Sequence, residues 1–195
     1  MEKETIKERF LGTIFGQAVG DALGLSTEFM SRQEVDQFYP NGIEDYSQIV
    51  QDDHRRRWQR GDWTDDTDMM LCILDSFVAC QKVDILDVAR RFKEWMMNGG
   101  LGIGRHTYCL DDEKSMGYTL RTLGAALWAY WHATSYKEGI LKIVLSGGDA
   151  DTNAAVAGAI LGAKFGICHI PKEWKDGLLY ASMLHNKVQE FYAMV

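Results

Sequence analysis

The run Ala154-Ala155-Val156-Ala157-Gly158-Ala159-Ile160-Leu161-Gly162-Ala163 carries small side chains on most faces of a helix. A helix without bulky ridges lets a neighbouring backbone approach closely, so this stretch predicts a buried central helix. Only two prolines occur in 195 residues, which leaves helices little punctuated. The Val/Ile/Thr-rich alternation that a sandwich or barrel requires is absent, and an all-β fold is excluded. A composition 46% apolar and 25% charged, with six Trp, eight Tyr and eight Phe, suffices for one packed core rather than a disordered chain.

The helical pattern extends well beyond the central run. Residues 5–24 place Ile6, Phe10, Ile14, Ala18 and Ala22 on one stripe, with Thr5 and Glu8 spaced as a capping box. Residues 25–63 lose that periodicity, hold Pro40 and Asn41-Gly42, and read as a long surface excursion broken by one short helix after Ser31-x-x-Glu34. Further helices are expected near 65–81, 84–97, 116–133, 135–145, 152–167, 172–181 and 184–194, with Pro171 suited to a first helical turn. No internal repeat is visible. The reading is a single compact, mainly α domain over 1–195.

Charge narrows the function. With 21 Lys+Arg against 28 Asp+Glu the formal charge is −7, which disfavours a general nucleic-acid binder. The one basic cluster, His54, Arg55, Arg56, Arg57 and Arg60, reads as a solvated surface. Cys72, Cys80, Cys109 and Cys168 lack metal or disulfide spacing and read as reduced, mostly buried thiols of a cytoplasmic protein. The charged start and the lack of a long apolar run predict neither signal peptide nor membrane helix.

Two acidic clusters stand out. The first is Gly61-Asp62-Trp63-Thr64-Asp65-Asp66-Thr67-Asp68, where a helix should begin. One or two acids there cap free N–H groups and complement the dipole, but four repel one another unless a cation lies between them. Oxygen donors without His or Cys select hard ions such as Mg²⁺, Mn²⁺ or Ca²⁺. The second cluster, Gly147-Gly148-Asp149-Ala150-Asp151-Thr152-Asn153, again combines acids and a hydroxyl at the start of an apolar helix. For the first cluster alone, metal binding and a solvated, over-capped helix start stand level; a shared metal site explains the two clusters together better than coincidence does.

Other motifs fail on their residues. An EF-hand beginning at Asp62 needs glycine at Thr67 and glutamate at Ile73. A DDxxD site beginning at Asp65 meets Met69 in place of its last acid. Gly100, Gly102 and Gly104 follow a helix rather than a strand, so they form no dinucleotide fingerprint; a phosphate loop and a plain connection both stay open. Met69-Met70 and Met96-Met97 read as core filling, Trp63 as packing, and Asp62 and Asp68 as flanking helix-start acids.

Phe15-Gly16-x-Ala18-x-Gly20-Asp21-Ala22-Leu23-Gly24 with Glu28, then Trp63-Thr64-Asp65-Asp66-Thr67, Gly102-Ile103-Gly104 and Gly147-Gly148-Asp149-Ala150-Asp151-Thr152-Asn153 together resemble the ADP-ribosylglycohydrolase family. The order of the motifs matches as well as their content. The resemblance implies an all-α, orthogonally packed domain that binds two Mg²⁺ or Mn²⁺ ions and cleaves ADP-ribose from arginine or another acceptor. It implies Thr64, Asp65, Asp66, Asp149, Asp151 and Thr152 as metal ligands. It further implies Glu28, Asp65 and Asp66 in catalysis, and Gly100, Gly102 and Gly104 against the diphosphate.

The family's long helical middle is nearly absent, since only about ten residues near 108–115 bridge the glycine loop and the next helix. A non-catalytic ADP-ribose-binding module descended from such an enzyme is the alternative. The substrate is expected to be ADP-ribose or an ADP-ribosylated protein, with no nucleic acid and no membrane as partner. A homodimer is one way to cover the surface that the shortened middle exposes.

Overall fold

The small-residue run does what its composition dictates. In the computed structural model, which describes residues 2–100 and 118–194, it forms helix α7 (Ala150–Phe165), packed along helix α1 (Glu2–Gly24). A Cβ on Gly158 would stand 2.0 Å from the Gly16 carbonyl oxygen, and one on Gly162 only 1.8 Å from that of Gly12. The two backbones therefore touch where glycines face one another. Tyr136 seals the crossing by donating its hydroxyl to the Gly16 carbonyl at 2.7 Å.

The other elements surround this pair. They are α2 (Arg32–Phe38), α3 (Asp65–Cys80), α4 (Ile85–Met97), α5 (Tyr118–His132), α6 (Tyr136–Val144), α8 (Lys172–Asp176) and α9 (Ala181–Tyr192). Among the described residues every regular element is helical, as expected for the all-α class. No helix among them is long and apolar enough to cross a membrane. The core centres on α1, α6 and α7, with Trp174, Tyr136, Leu23, Ile140 and Leu161 fully buried.

Several local expectations are corrected. Helix α1 already runs from Glu2, so Thr5 lies inside it rather than capping it. Pro171 is the N-cap of α8, one residue before the first turn. Cys168 is exposed and Cys72 and Cys80 are only half-buried; Cys109 lies outside the described residues. Met97 is 73% exposed at the end of α4, a helix with no buried residue.

The largest correction concerns residues 25–63. They are not a surface excursion, because Leu25, Met30, Val35, Tyr39, Ile43, Tyr46, Ile49 and Trp58 all join the interior. Irregular backbone cannot be buried unless its polar groups are matched. The Tyr39 hydroxyl donates to the Ser26 carbonyl and accepts from the Val50 N–H, both at 3.1 Å. The Tyr46 hydroxyl reaches the Trp174 carbonyl at 3.0 Å. Helix α2 does carry the expected Ser31/Glu34 capping box.

Candidate active site

The site is assembled from three chain turns at one end of α1 and α7. Asp21, in the last turn of α1, is fully buried and faces the start of α3. Its Oδ1 accepts from the Thr64 N–H at 3.0 Å and hydroxyl at 2.8 Å, and its Oδ2 from the Thr67 N–H at 3.0 Å and hydroxyl at 2.6 Å. Asp21 thus caps α3 from another helix, which Thr64 at the N-cap does not do with its own side chain. Burial, then the nearby Asp66 charge, pushes the Asp21 carboxyl well above the usual range despite these donors. Asp21→Ala would strand the donors of both threonines, and urea unfolding should show a loss of about 3 kcal/mol or more. A change below about 1 kcal/mol would show that Asp21 does not organise this helix start.

The second turn, residues 25–30, carries Glu28. Arg55, expected on a solvated surface, is instead buried here. Its Nε donates to the carbonyls of Leu25 at 2.9 Å and Ser26 at 2.8 Å, another guanidinium nitrogen donates to the Glu28 carbonyl, and it pairs with Asp52. Five fixed donors on a planar group suit three carbonyls at the inside of a tight turn. His54 also turns inward, its Nε2 lying 2.5 Å from Glu28 Oε2. Arg56 remains exposed, in an ion pair with Asp53. Phe29 adopts a left-handed φ of 61°, held by its N–H bond to the Gly148 carbonyl at 2.7 Å; Gly148 returns a bond to the Met30 carbonyl at 2.9 Å. This pair ties the Glu28 turn directly to the second acidic segment.

The third turn opens α7. Asp149 is the N-cap and Asp151 is buried, and the Thr152 hydroxyl stands near enough to the Asp66 carboxylate to favour its charged form, so the two acidic segments face one another. Burial pushes the Asp66 carboxyl up to about 6, opposed by the nearby Thr152 hydroxyl and reinforced by the charges of Asp149 and Glu28. Burial raises Asp151 well above its ordinary value, reinforced by Glu28, Asp21 and Asp66. Glu28, Asp66, Asp149 and Asp151 thus share one electrostatic neighbourhood, with Asp65 half-buried in the first turn of α3.

These donors fit a hard divalent cation in kind. They are oxygens only, they repel one another, and Asp151 Oδ1 and Asn153 Oδ1 are buried without a protein partner. As arranged they do not close around a point: among the described residues no three His, Cys, Asp or Glu side chains form a group able to hold an ion. Thr64 uses its hydroxyl proton toward Asp21, leaving that oxygen's lone pairs as its means of ligation.

The flanking acids differ from their expected role as solvated helix-start groups. Asp68 accepts from the Trp63 indole at 2.9 Å and the Trp95 indole at 2.8 Å, so it clamps α4 to the site. Asp62 is half-buried, and that burial raises its carboxyl to about 6. Gly100 lies against Trp95, where an added Cβ would stand 2.5 Å from the indole, and its N–H donates to the Trp95 carbonyl at 3.1 Å. Gly102 and Gly104 lie outside the described residues. Local spacing does not reveal the inward roles of Arg55, His54 and Asp21, since the partners that place them at the site, in the Glu28 turn and at Thr64 and Thr67, lie 26 to 46 residues away.

Helices packed about a close α1–α7 crossing, with carboxylates and hydroxyls gathered across the starts of α3 and α7, define an all-α protein with an oxygen-donor acidic site. The family model described as ADP-ribosylglycohydrolase matches residues 2–111 and 106–194, and the chain belongs to that family. An ADP-ribosylarginine hydrolase Tri1 of Serratia proteamaculans is 38% identical over 84 residues, 43% of this chain and 23% of that protein. The Pseudomonas putida Tri1 is 35% identical over 82 residues, 22% of its length, so the matches span under a quarter of either relative.

An ADP-ribosyl-[dinitrogen reductase] glycohydrolase of Rhodospirillum rubrum is 22% identical over 284 aligned positions, spanning 91% of this chain and 92% of that one. Because this chain has only 195 residues, at least 89 of those 284 positions have no counterpart in it. A solved structure titled an ADP-ribosylglycohydrolase-related protein complex shares the fold, with a TM-score of 0.74, 21% identity and coverage of 96% of this chain and 98% of that one.

Proposed function

We propose that this protein is a divalent-metal-dependent hydrolase that cleaves the glycosidic bond between ADP-ribose and an acceptor, with arginine as the leading candidate. The observation that carries the reading is the backbone pair between the Glu28 turn and the second acidic segment, Phe29 N–H to the Gly148 carbonyl and Gly148 N–H to the Met30 carbonyl, with Asp21 a turn earlier holding the start of the first. The names of the relatives supply the acceptor: two are ADP-ribosylarginine hydrolases.

Bound Mg²⁺ or Mn²⁺, two ions held by Thr64, Asp65, Asp66, Asp149, Asp151 and Thr152, would orient the ribose hydroxyls and acidify water. Glu28 lies in the turn tied to that set, and His54 occupies its Oε2. Oε1 is the oxygen assigned to receive the proton of the attacking water as the C–O bond forms at the anomeric carbon. The C–N bond to the acceptor breaks with its electron pair going to nitrogen, which takes up the proton that Glu28 received from the water and leaves as the free guanidine group. The backbone at Gly100 is assigned to the diphosphate side, as are Gly102 and Gly104.

Glu28→Gln should lower release of ADP-ribose from ADP-ribosylated arginine by about 10²-fold or more, while the thermal shift produced by Mn²⁺ is retained. Undiminished turnover would remove Glu28 from the mechanism. The alternative, a non-catalytic ADP-ribose-binding module, draws on the 89 or more alignment positions missing from this chain. Stabilisation by Mn²⁺ and ADP-ribose without product release by the wild-type protein would select it.

A further inference from the structure

Within the reading of Glu28 as the proton-accepting carboxylate, we infer that His54 is its positioning residue, locked in one tautomer by Arg57. The Arg57 guanidinium has only donors, and it meets His54 Nδ1 while its Nε donates to the His54 carbonyl at 2.9 Å. Nδ1 is therefore the acceptor and carries no proton. The ring proton lies on Nε2, which donates to Glu28 Oε2 at 2.5 Å. Two aromatic rings fix the plane of the imidazole: Phe29 at 5.1 Å and Trp58 at 5.4 Å between centroids.

Phe29 holds that place at the expense of a left-handed backbone and a side chain 72% exposed, so the fold gains little burial from it. Trp58 in turn carries the Arg57 guanidinium over its ring, 4.6 Å from the centroid. The chain Arg57 to His54 to Glu28 runs in one hydrogen-bonding direction. It fixes Oε2 and leaves Oε1 as the only Glu28 oxygen aimed elsewhere, which is the orienting function that a third group performs for a catalytic base. The basic stretch 54–57 thereby serves the site through His54 and Arg57 at the Glu28 carboxylate and Arg55 at the carbonyls of its turn.

The test combines nitrogen NMR of the His54 ring with steady-state kinetics on ADP-ribosylated arginine. Wild-type protein should show a protonated Nε2 and an unprotonated Nδ1. Arg57→Leu should mix the two tautomers. His54→Leu should lower kcat roughly 10- to 100-fold with KM nearly unchanged, and His54→Gln, which keeps a donor at the Nε2 position, should recover most of it. An Nδ1–H tautomer in the wild type overturns the inference, as does full turnover in a folded His54→Leu protein or equal loss in both variants. If the wild type releases no ADP-ribose, the hydrolase reading fails on its own, while the ring tautomer still decides the Arg57–His54–Glu28 arrangement.

Discussion

Replacing Gly162 by alanine is expected to destroy the folded state or lower its melting temperature by more than about 10 °C. The added methyl would stand 1.8 Å from the Gly12 carbonyl oxygen, with backbone rather than a flexible side chain as the obstacle. Relief requires α1 and α7 to separate along their whole crossing, where Gly16 and Gly158 are in the same position one turn on. Separation would open the most extensive helix contact among the described residues and detach Tyr136 from the Gly16 carbonyl. Overpacking of this kind typically costs about 1–3 kcal/mol when side chains can adjust, and a rigid backbone pair pushes the cost beyond that range. Thermal unfolding followed by circular dichroism measures it. A melting point within about 2 °C of wild type would show that the crossing is looser than described.

The second large effect changes sign with the metal. In chelator-treated protein at pH 8, Asp66→Asn should be more stable than wild type by about 1–3 kcal/mol, because a largely desolvated and repelled carboxylate becomes neutral. The carboxyl is raised to about 6 in the folded protein against 3.8 for an ordinary aspartate. Between those values the folded state holds more protons than the unfolded one, so stability falls as pH rises through that window. The advantage of the variant should therefore vanish near pH 4 and be complete above pH 7. With millimolar Mn²⁺ the order should reverse, since the ion stabilises only the intact carboxylate set. Denaturant unfolding at the two pH values, with and without Mn²⁺, supplies the comparison. A wild type more stable than Asp66→Asn in every condition would contradict the repulsion on which the site is built.

Much of this arrangement was legible in the sequence where the information is local. The small residues of 154–163 announce a helix that others approach closely, and Ser31 with Glu34 marks a helix start within four residues. The acids at 65–68 and 149–151 announce a site because their repulsion needs an external explanation. Residues 25–63 escaped, since they are buried by single large side chains at irregular intervals and satisfied by distant partners. Arg55 illustrates the difficulty: it stands within a charged run but spends its donors on carbonyls up to 30 residues earlier. Asp68 sits among helix-start acids, yet its oxygens hold two indoles, one of them 27 residues later. Such roles depend on tertiary placement and leave no periodic trace.

The same physics separates what holds the fold from what the site is for. Asp21 is buried with four donors and acts as an interhelical cap, whereas the half-buried Asp66 and the buried Asp151, one of whose own oxygens is unpartnered, stand at electrostatic expense to one another. Charge kept at such expense is what the proposed metal-binding role predicts.

Manganese uptake followed by electron paramagnetic resonance, in wild type and in Asp66→Asn and Asp151→Asn, tests that central claim most directly. Two Mn²⁺ per wild-type chain, with tight uptake lost on substitution in either segment alone, is the predicted result. No uptake at millimolar Mn²⁺, or unchanged affinity in Asp151→Asn, would contradict a site shared by the starts of α3 and α7.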